Sequence, residues 1–320
     1  MKNGEKISRR AAIRNIGMVG AGAALGGKML AARAAAATPA ASTSATPAAT
    51  PVVVAAPVGS AGSPAPRKAE VLALIGDRWH GYDYIHVALH RTLVQEAGVP
   101  VDFTPDHSLL SRETLAGYKL LIMLCDGLSF PGGYSSPYPF YDPQTMKIVS
   151  DPPTPLDEKA VNWLTPEQGK AIREFVEKGG SAWFFHNASY ISGGNTDFRH
   201  VEGALFTGHT VFRPYKMKIV NGDHPITRGV KDFVVSEEQH FLIYDKDPKT
   251  VLVRSVNEQG LEYKTAAHGN QGATCEACWA YELGKGRVCY MAPGHTIPSF
   301  WNPEYVKLQK NALRWLLRQS

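Results

Sequence analysis

The chain has 320 residues, with 34 Lys and Arg against 29 Asp and Glu, a net charge of +5, and a 44% hydrophobic content. Seven of the basic residues and one acidic residue precede Arg67, so the remaining 254 residues hold 27 basic and 28 acidic groups, a net of −1 that gives nucleic acid or an anionic membrane nothing to bind. Four cysteines are too few for a disulfide-built scaffold, while 254 residues can bury one large core.

Ser8-Arg9-Arg10 precedes a weakly apolar Gly/Ala-rich stretch from Ala11 to Ala32, interrupted by Arg14 and Lys28 and followed by small residues to Ala37. Two internal charges and an uninterrupted apolar length well below the roughly 20 residues of a membrane span argue against an anchor. The pattern predicts a twin-arginine signal over residues 1–37, recognised by the twin-arginine export machinery. Cleavage places the protein in the periplasm or outside the cell without a stable membrane anchor. Residues 38–66 are Ala, Pro, Thr, Ser, Val and Gly without a charge, the composition of a disordered linker. Residues 67–320 are then one α/β domain.

Within that domain, Glu70 to Ile75 reads as a buried strand and Asp83 to Gly98 as a helix with apolar residues at helical spacing. Val99 to Phe103 and Lys119 to Cys125 are the next strands. Gly127 to Asn162, rich in Pro, Tyr, Gly and Asp, breaks the pattern as a long functional loop or insertion. Thr165-Pro166-Glu167-Gln168 opens a helix that runs to Lys178 and stops at Gly179-Gly180, and Ser181 to Phe185 is a fourth buried strand. The alternation predicts an open, doubly wound α/β sheet. A β-rich part follows, with strands at Lys216 to Val220, Phe233 to Val235, Val251 to Val256, Trp279 to Glu282 and Val288 to Met291, before a closing helix from Pro303 to Arg318.

Cys125 and Cys289 fall in apolar runs and read as buried thiols. Cys275 and Cys278 form a C-x-x-C in a loop-like stretch that leaves a local disulfide, half a metal site or no role open. The disulfide is favoured, because an exported protein meets an oxidising compartment and no second C-x-x-C exists to complete a zinc cluster.

Ligands of open α/β sheets bind beyond the carboxyl ends of the strands. Asp77, Trp79 and His80 follow the first strand, Asp126 the third, His186 and Asn187 the fourth, and His295 the strand before the last helix. The topology therefore predicts three histidines and a carboxylate on one rim. No P-loop, G-x-G-x-x-G or H-E-x-x-H is present, so no nucleotide is expected.

These segments resemble the trehalose-utilisation ThuA-like proteins. The resemblance rests on GDRWHGYDY (Gly76 to Tyr84), FFHNAS (Phe184 to Ser189), HPITRGVKDFVVSEEQH (His224 to His240), WAYELGKGRVCYMAPGH (Trp279 to His295) and NPEYVKLQKNALRWL (Asn302 to Leu316). It implies a flavodoxin-like, class I glutamine amidotransferase-like doubly wound parallel sheet with an added β-rich part. It also implies a pocket lined by His80, His186, Glu238 and His295. In those amidotransferases the turn after the fourth strand carries a nucleophilic cysteine. Here it carries His186, so thiolate acyl transfer lacks its nucleophile. His240 stands where the family pattern has an aromatic, which leaves open which group of Glu237 to His240 faces the pocket.

His80, His186, Glu238 and His295 are thus the candidate catalytic groups, with acid/base chemistry or, through the three histidines, a divalent metal as the open alternatives. The family's link to sugar catabolism implies a carbohydrate partner: a sugar, keto-sugar or glycoside that is isomerised, cleaved or hydrolysed. A non-catalytic glycan-binding module is the alternative. Asp77, Trp79, Asp126, Asn187, His240 and Trp301 are the candidate substrate-binding residues, with Tyr82, Tyr134, Tyr138 and Tyr141 as further aromatic candidates.

Overall fold

Val71–Ile75 (β1), Leu120–Leu124 (β3) and Ser181–Phe185 (β4) are apolar at nearly every position and buried along their whole length, as strands covered by helices on both faces must be. The computed structural model describes residues 68–134, 140–141, 144–145, 148–149 and 157–319. The predicted signal, the linker and Tyr138 lie outside the described residues, as does the Tyr141 side chain.

With β2 (Val101–Thr104) and β9 (Gly286–Met291), these strands form a parallel half in the order β9-β4-β3-β1-β2. The antiparallel half continues from β9 through β8 (Thr274–Leu283), β7 (Val251–Val256) and β5 (Ala204–Ile219) to β6 (Phe233–Tyr244), completing one nine-stranded mixed sheet. The expected parallel sheet with a β-rich addition is therefore present. β5 and β6 are much longer than the segments expected at Lys216 to Val220 and Phe233 to Val235, because their polar and aromatic residues pair along a shared ladder that local pattern does not reveal.

The helices follow from local chemistry. α1 (Tyr82–Leu89) continues as a π-helical turn, His90–Glu96, and buries Ile85, Ala88, Leu89 and Leu93 against the sheet. α2 (Arg112–Leu115) is a single capped turn. α3 (Pro166–Glu177) starts with a full capping box: the Thr165 hydroxyl accepts from the Gln168 amide while the Gln168 side chain accepts from the Thr165 amide. α4 (Thr196–Glu202), the short α5 (Ile297–Phe300) and α6 (Pro303–Leu316) complete the layers. Among the described residues no helix is long and apolar enough to cross a membrane.

The expected Cys275–Cys278 disulfide is not formed; all four cysteines are free and buried. Gly269 to Ala277 is not a loop, because Thr274 onward belongs to β8, held by β7 and β9. An extended strand separates positions three apart by about 10 Å, whereas a disulfide needs Cα atoms within about 7 Å. The Cys275 sulfur instead lies 3.2 Å from the Leu242 amide nitrogen.

Candidate functional site

The carboxyl ends of β1, β4 and β9 bring His80, His186 and His295 together, and Glu238 reaches them from β6. One ligand atom from each of the four lies within 4.8 Å of the others. His80 Nε2 is 3.2 Å from His295 Nδ1, which is 3.2 Å from Glu238 Oε2. His186 Nε2 is 3.7 Å from the same oxygen.

Each group is aimed by a neighbour. Asp77 sits behind His80 rather than in the opening, its carboxylate 2.9 Å from His80 Nδ1. It also accepts from the amides of Trp79, His80 and Asp126 at 2.8, 2.9 and 3.0 Å and from the Asn187 side chain. Burial alone pushes Asp77 up, but the hydrogen bond and charge of His80 outweigh it and hold the carboxyl below its ordinary range. Asn187 donates to the Asp77 carboxylate and lies against His80 Nδ1, so Asp77 and Asn187 are supports.

His186 is the first residue after β4 and has φ +49°, in the left-handed region that costs a non-glycine residue about 1–2 kcal/mol. The turn is held because the His186 carbonyl accepts from Tyr290 Oη at 2.9 Å and Ser189 Oγ at 3.0 Å. Its ring is pressed from the other side by Gly294, where a Cβ would stand 2.6 Å from the His186 Cβ. His186 Nδ1 donates to the Ala292 carbonyl at 2.8 Å, so Nε2 presents its lone pair to the cluster and has no hydrogen-bond partner there. Burial, and then the nearby histidines, push this imidazole down to about 4.

Glu238, not Glu237, faces the histidines. Burial raises its carboxyl, but the imidazoles of His186 and His295 beside it win and keep it well below the usual carboxylate range. Glu237 is wholly buried and accepts from the His295 and Thr296 amides at 3.2 and 3.1 Å, fixing the turn that carries His295. Burial pushes Glu237 up to about 7. His240 lies beneath the cluster, its ring stacked 4.0 Å from that of His186, and burial holds it well below the ordinary imidazole range.

The remaining predicted residues separate from the cluster to different degrees. Asp126 is buried beside Asp77 and accepts from the Leu128 amide; burial and the Asp77 charge push it up to about 7. Trp79 is half exposed, with the Arg78 guanidinium 4.6 Å from its ring; Phe130 and Tyr134 flank the same guanidinium. Trp301 instead packs near α1, its indole N–H towards the Ala88 carbonyl and Arg91 over its ring. Tyr82 stacks on His86 of the same helix.

Sequence reasoning missed His209 and Phe212. His209 Nδ1 is 3.5 Å from Glu238 Oε2, and the Phe212 ring stands edge-on to His295 at 4.7 Å. Both are on β5, whose pairing with β6 no local motif announces.

Four ring or carboxylate acceptors this close, with two imidazole Nδ1 atoms already committed to Asp77 and Ala292, are matched to a cation or a shared proton at their centre. Three imidazoles and a carboxylate suit zinc or another first-row divalent ion, and the outward-facing supports are those that orient metal-binding histidines.

A ThuA-like protein from Bacteroides uniformis ATCC 8492 is similar in fold, with a TM-score of 0.52 and 19% identity over 81% of this chain and 95% of its own. A ThuA-like protein from Parabacteroides merdae ATCC 43184 is similar with a TM-score of 0.51 and 14% identity, covering 77% of this chain and 89% of its own. Among curated proteins none matches the sequence. The family model described as ThuA, trehalose utilisation, matches residues 70–316, and the chain therefore belongs to the ThuA family.

Proposed function

We propose that the protein is an exported enzyme that acts on a sugar, keto-sugar or glycoside at a divalent-metal centre held by His80 Nε2, His186 Nε2, His295 Nδ1 and Glu238. The observation that carries this reading is the convergence of those four acceptor atoms within 4.8 Å. The carbohydrate comes from the family's description, trehalose utilisation.

A divalent ion, when bound, supplies positive charge that polarises a carbonyl or hydroxyl oxygen of the substrate. The chain's own residues do the rest. Asp77 accepts from His80 Nδ1 and so fixes its tautomer and plane, Asn187 donates to the Asp77 carboxylate, and the Ala292 carbonyl fixes His186 in the same way. Glu238, ionised, balances charge in the cluster and accepts a proton from a sugar hydroxyl or from a carbon beside a carbonyl. His240 and the β4 turn close the floor against water, so the cluster opens only where Glu238 and His295 are partly exposed. Glutaminase chemistry is excluded from the proposal, because His186 occupies the turn where that reaction needs a thiolate.

The test is elemental analysis of the purified protein, followed by turnover assays on sugars and their keto derivatives with His186→Ala and His295→Ala. A stoichiometric divalent ion, lost with activity in both variants, is the expected outcome. Unchanged metal content and turnover in both variants would remove the site. Export is proposed through Arg9 and Arg10; replacing both by Lys should leave the protein in the cytosol, and normal export of that variant would refute the signal.

A further inference from the structure

Between Glu238 and His240 of β6, the facing stretch of β5 carries one extra residue. Glu238 lies opposite Phe212 and His240 opposite His209, so Gln239 faces both Thr210 and Val211. In a regular strand His209 and Phe212, three apart, would leave opposite faces. The bulge cancels one step and puts both on the face of Glu238 and His240. The distances agree: His209 lies 3.5 Å from Glu238, and the Phe212 ring 4.7 Å from that of His295. The bulge is held in place. Thr210 Oγ1 accepts the Gln239 amide at 3.1 Å and donates to the Val211 carbonyl at 2.8 Å. The Gln239 side chain is tied down by Arg213, Ser255 and the Ala273 carbonyl. Val211, the displaced residue, points outward and is 81% exposed.

The cluster is sealed on the side of His186, wholly buried, and His80, and accessible on the side of Glu238 and His295. His209 and Phe212 bound that accessible side, and both are nearly half exposed although they touch the cluster. An exposed aromatic face beside an imidazole matches a pyranose ring, whose C–H face lies on the aromatic while a hydroxyl meets the nitrogen.

We infer that the bulge at Thr210-Val211 builds a sugar-ring subsite at the mouth of the cluster, in which Phe212 stacks on the ring and His209 hydrogen-bonds a hydroxyl. This rests on the carbohydrate reading proposed above and adds the residues that select the ring.

The test is titration of trehalose and D-glucose into the full chain and its variants, by calorimetry and saturation-transfer NMR, with bound metal measured in each sample. Phe212→Leu and His209→Ala should each weaken sugar binding about five- to tenfold, the worth of one ring contact or hydrogen bond. Metal content should not change. Phe212→Tyr keeps the ring and Val211→Thr alters only the outward side chain, so both should bind as the parent does; this pair separates a lost contact from a lost fold. Parent-like affinity in Phe212→Leu and His209→Ala overturns the subsite and leaves the proposed function standing. A parent protein that holds its metal but binds neither sugar overturns the carbohydrate reading and the subsite together.

Discussion

Replacing Asp77 by Asn probes the support of the cluster without touching a candidate ligand. One carboxylate oxygen accepts from the Trp79 and His80 amides and lies 2.9 Å from His80 Nδ1; the other accepts from the Asp126 amide and Asn187 Nδ2. An Asn side chain can satisfy one set, but its NH2 group then faces the donors of the other. The better orientation gives up the Asp126 and Asn187 bonds. Two buried hydrogen bonds at about 1–2 kcal/mol each set the loss of stability at about 2–4 kcal/mol. His80 keeps its Nδ1 bond but loses the negative charge behind it, so Nε2 becomes a weaker donor to a cation. Loss of such a support lowers metal affinity about 10- to 100-fold, or about 1.4–2.7 kcal/mol. Competition with a chromogenic chelator for zinc measures that loss, and thermal unfolding of the metal-free protein measures the other. Zinc affinity equal to the parent's, in a variant whose melting temperature has fallen, would refute the assignment of Asp77 as the group that aims His80.

Gly294→Ala puts a methyl group 2.6 Å from the His186 Cβ and 3.2 Å from its Cγ, so the buried imidazole must shift; zinc affinity should fall with a loss of about 1–3 kcal/mol in unfolding measurements. Intact mass and thiol titration of the denatured, unreduced protein should find four free thiols per chain, and a Cys275–Cys278 disulfide, seen as a mass lower by two hydrogen atoms and mapped by peptide digestion, would contradict the β8 geometry. Glu202 is fully buried with one carboxyl oxygen unpartnered, and burial pushes it up to about 8 from an ordinary 4.5. The folded protein therefore holds this proton more tightly than the unfolded chain, so its contribution is complete below pH 4.5 and is lost as pH rises towards about 8. Glu202→Gln should unfold less readily than the parent at pH 9, with a ceiling on the order of 5 kcal/mol and an advantage that shrinks towards pH 5.

The parallel half was legible because each strand announces itself. LLIMLC and SAWFF are almost wholly apolar, and His80, His186 and His295 lie within five residues of their strands' ends, so topology alone predicts their meeting. Glu238 was legible only through the family resemblance, since Glu237-Glu238-Gln239-His240 offers two carboxylates and alternation does not say which face is which. The β6 ladder decides it: Glu237 supports the His295 turn and Glu238 meets the rings. Asp77 was read as a substrate contact because it follows a strand at the carboxyl edge, where ligands of such sheets bind; its place depends on the Asp126 amide, 49 residues away. His209 and Phe212 were invisible for a physical reason, because the bulge that unites them depends on register with β6 and register is a property of two strands.

The turn at His186 bears directly on the chemistry open to the site. A strand that ends in a left-handed residue holds one side chain rigidly over the carboxyl edge of the sheet, which is why such turns present nucleophiles. An imidazole placed there is held as rigidly, and its Nδ1 is committed to the Ala292 carbonyl, so it presents a single lone pair in a fixed direction. Covalent attack needs an exposed, activated nucleophile; ligation needs a buried, neutral and oriented one. His186 is fully buried and held neutral down to about pH 4, which meets the second need and defeats the first. On the proposed reading, that rigid turn therefore presents an oriented, neutral imidazole to a cation or a shared proton, not a nucleophile to a substrate carbonyl.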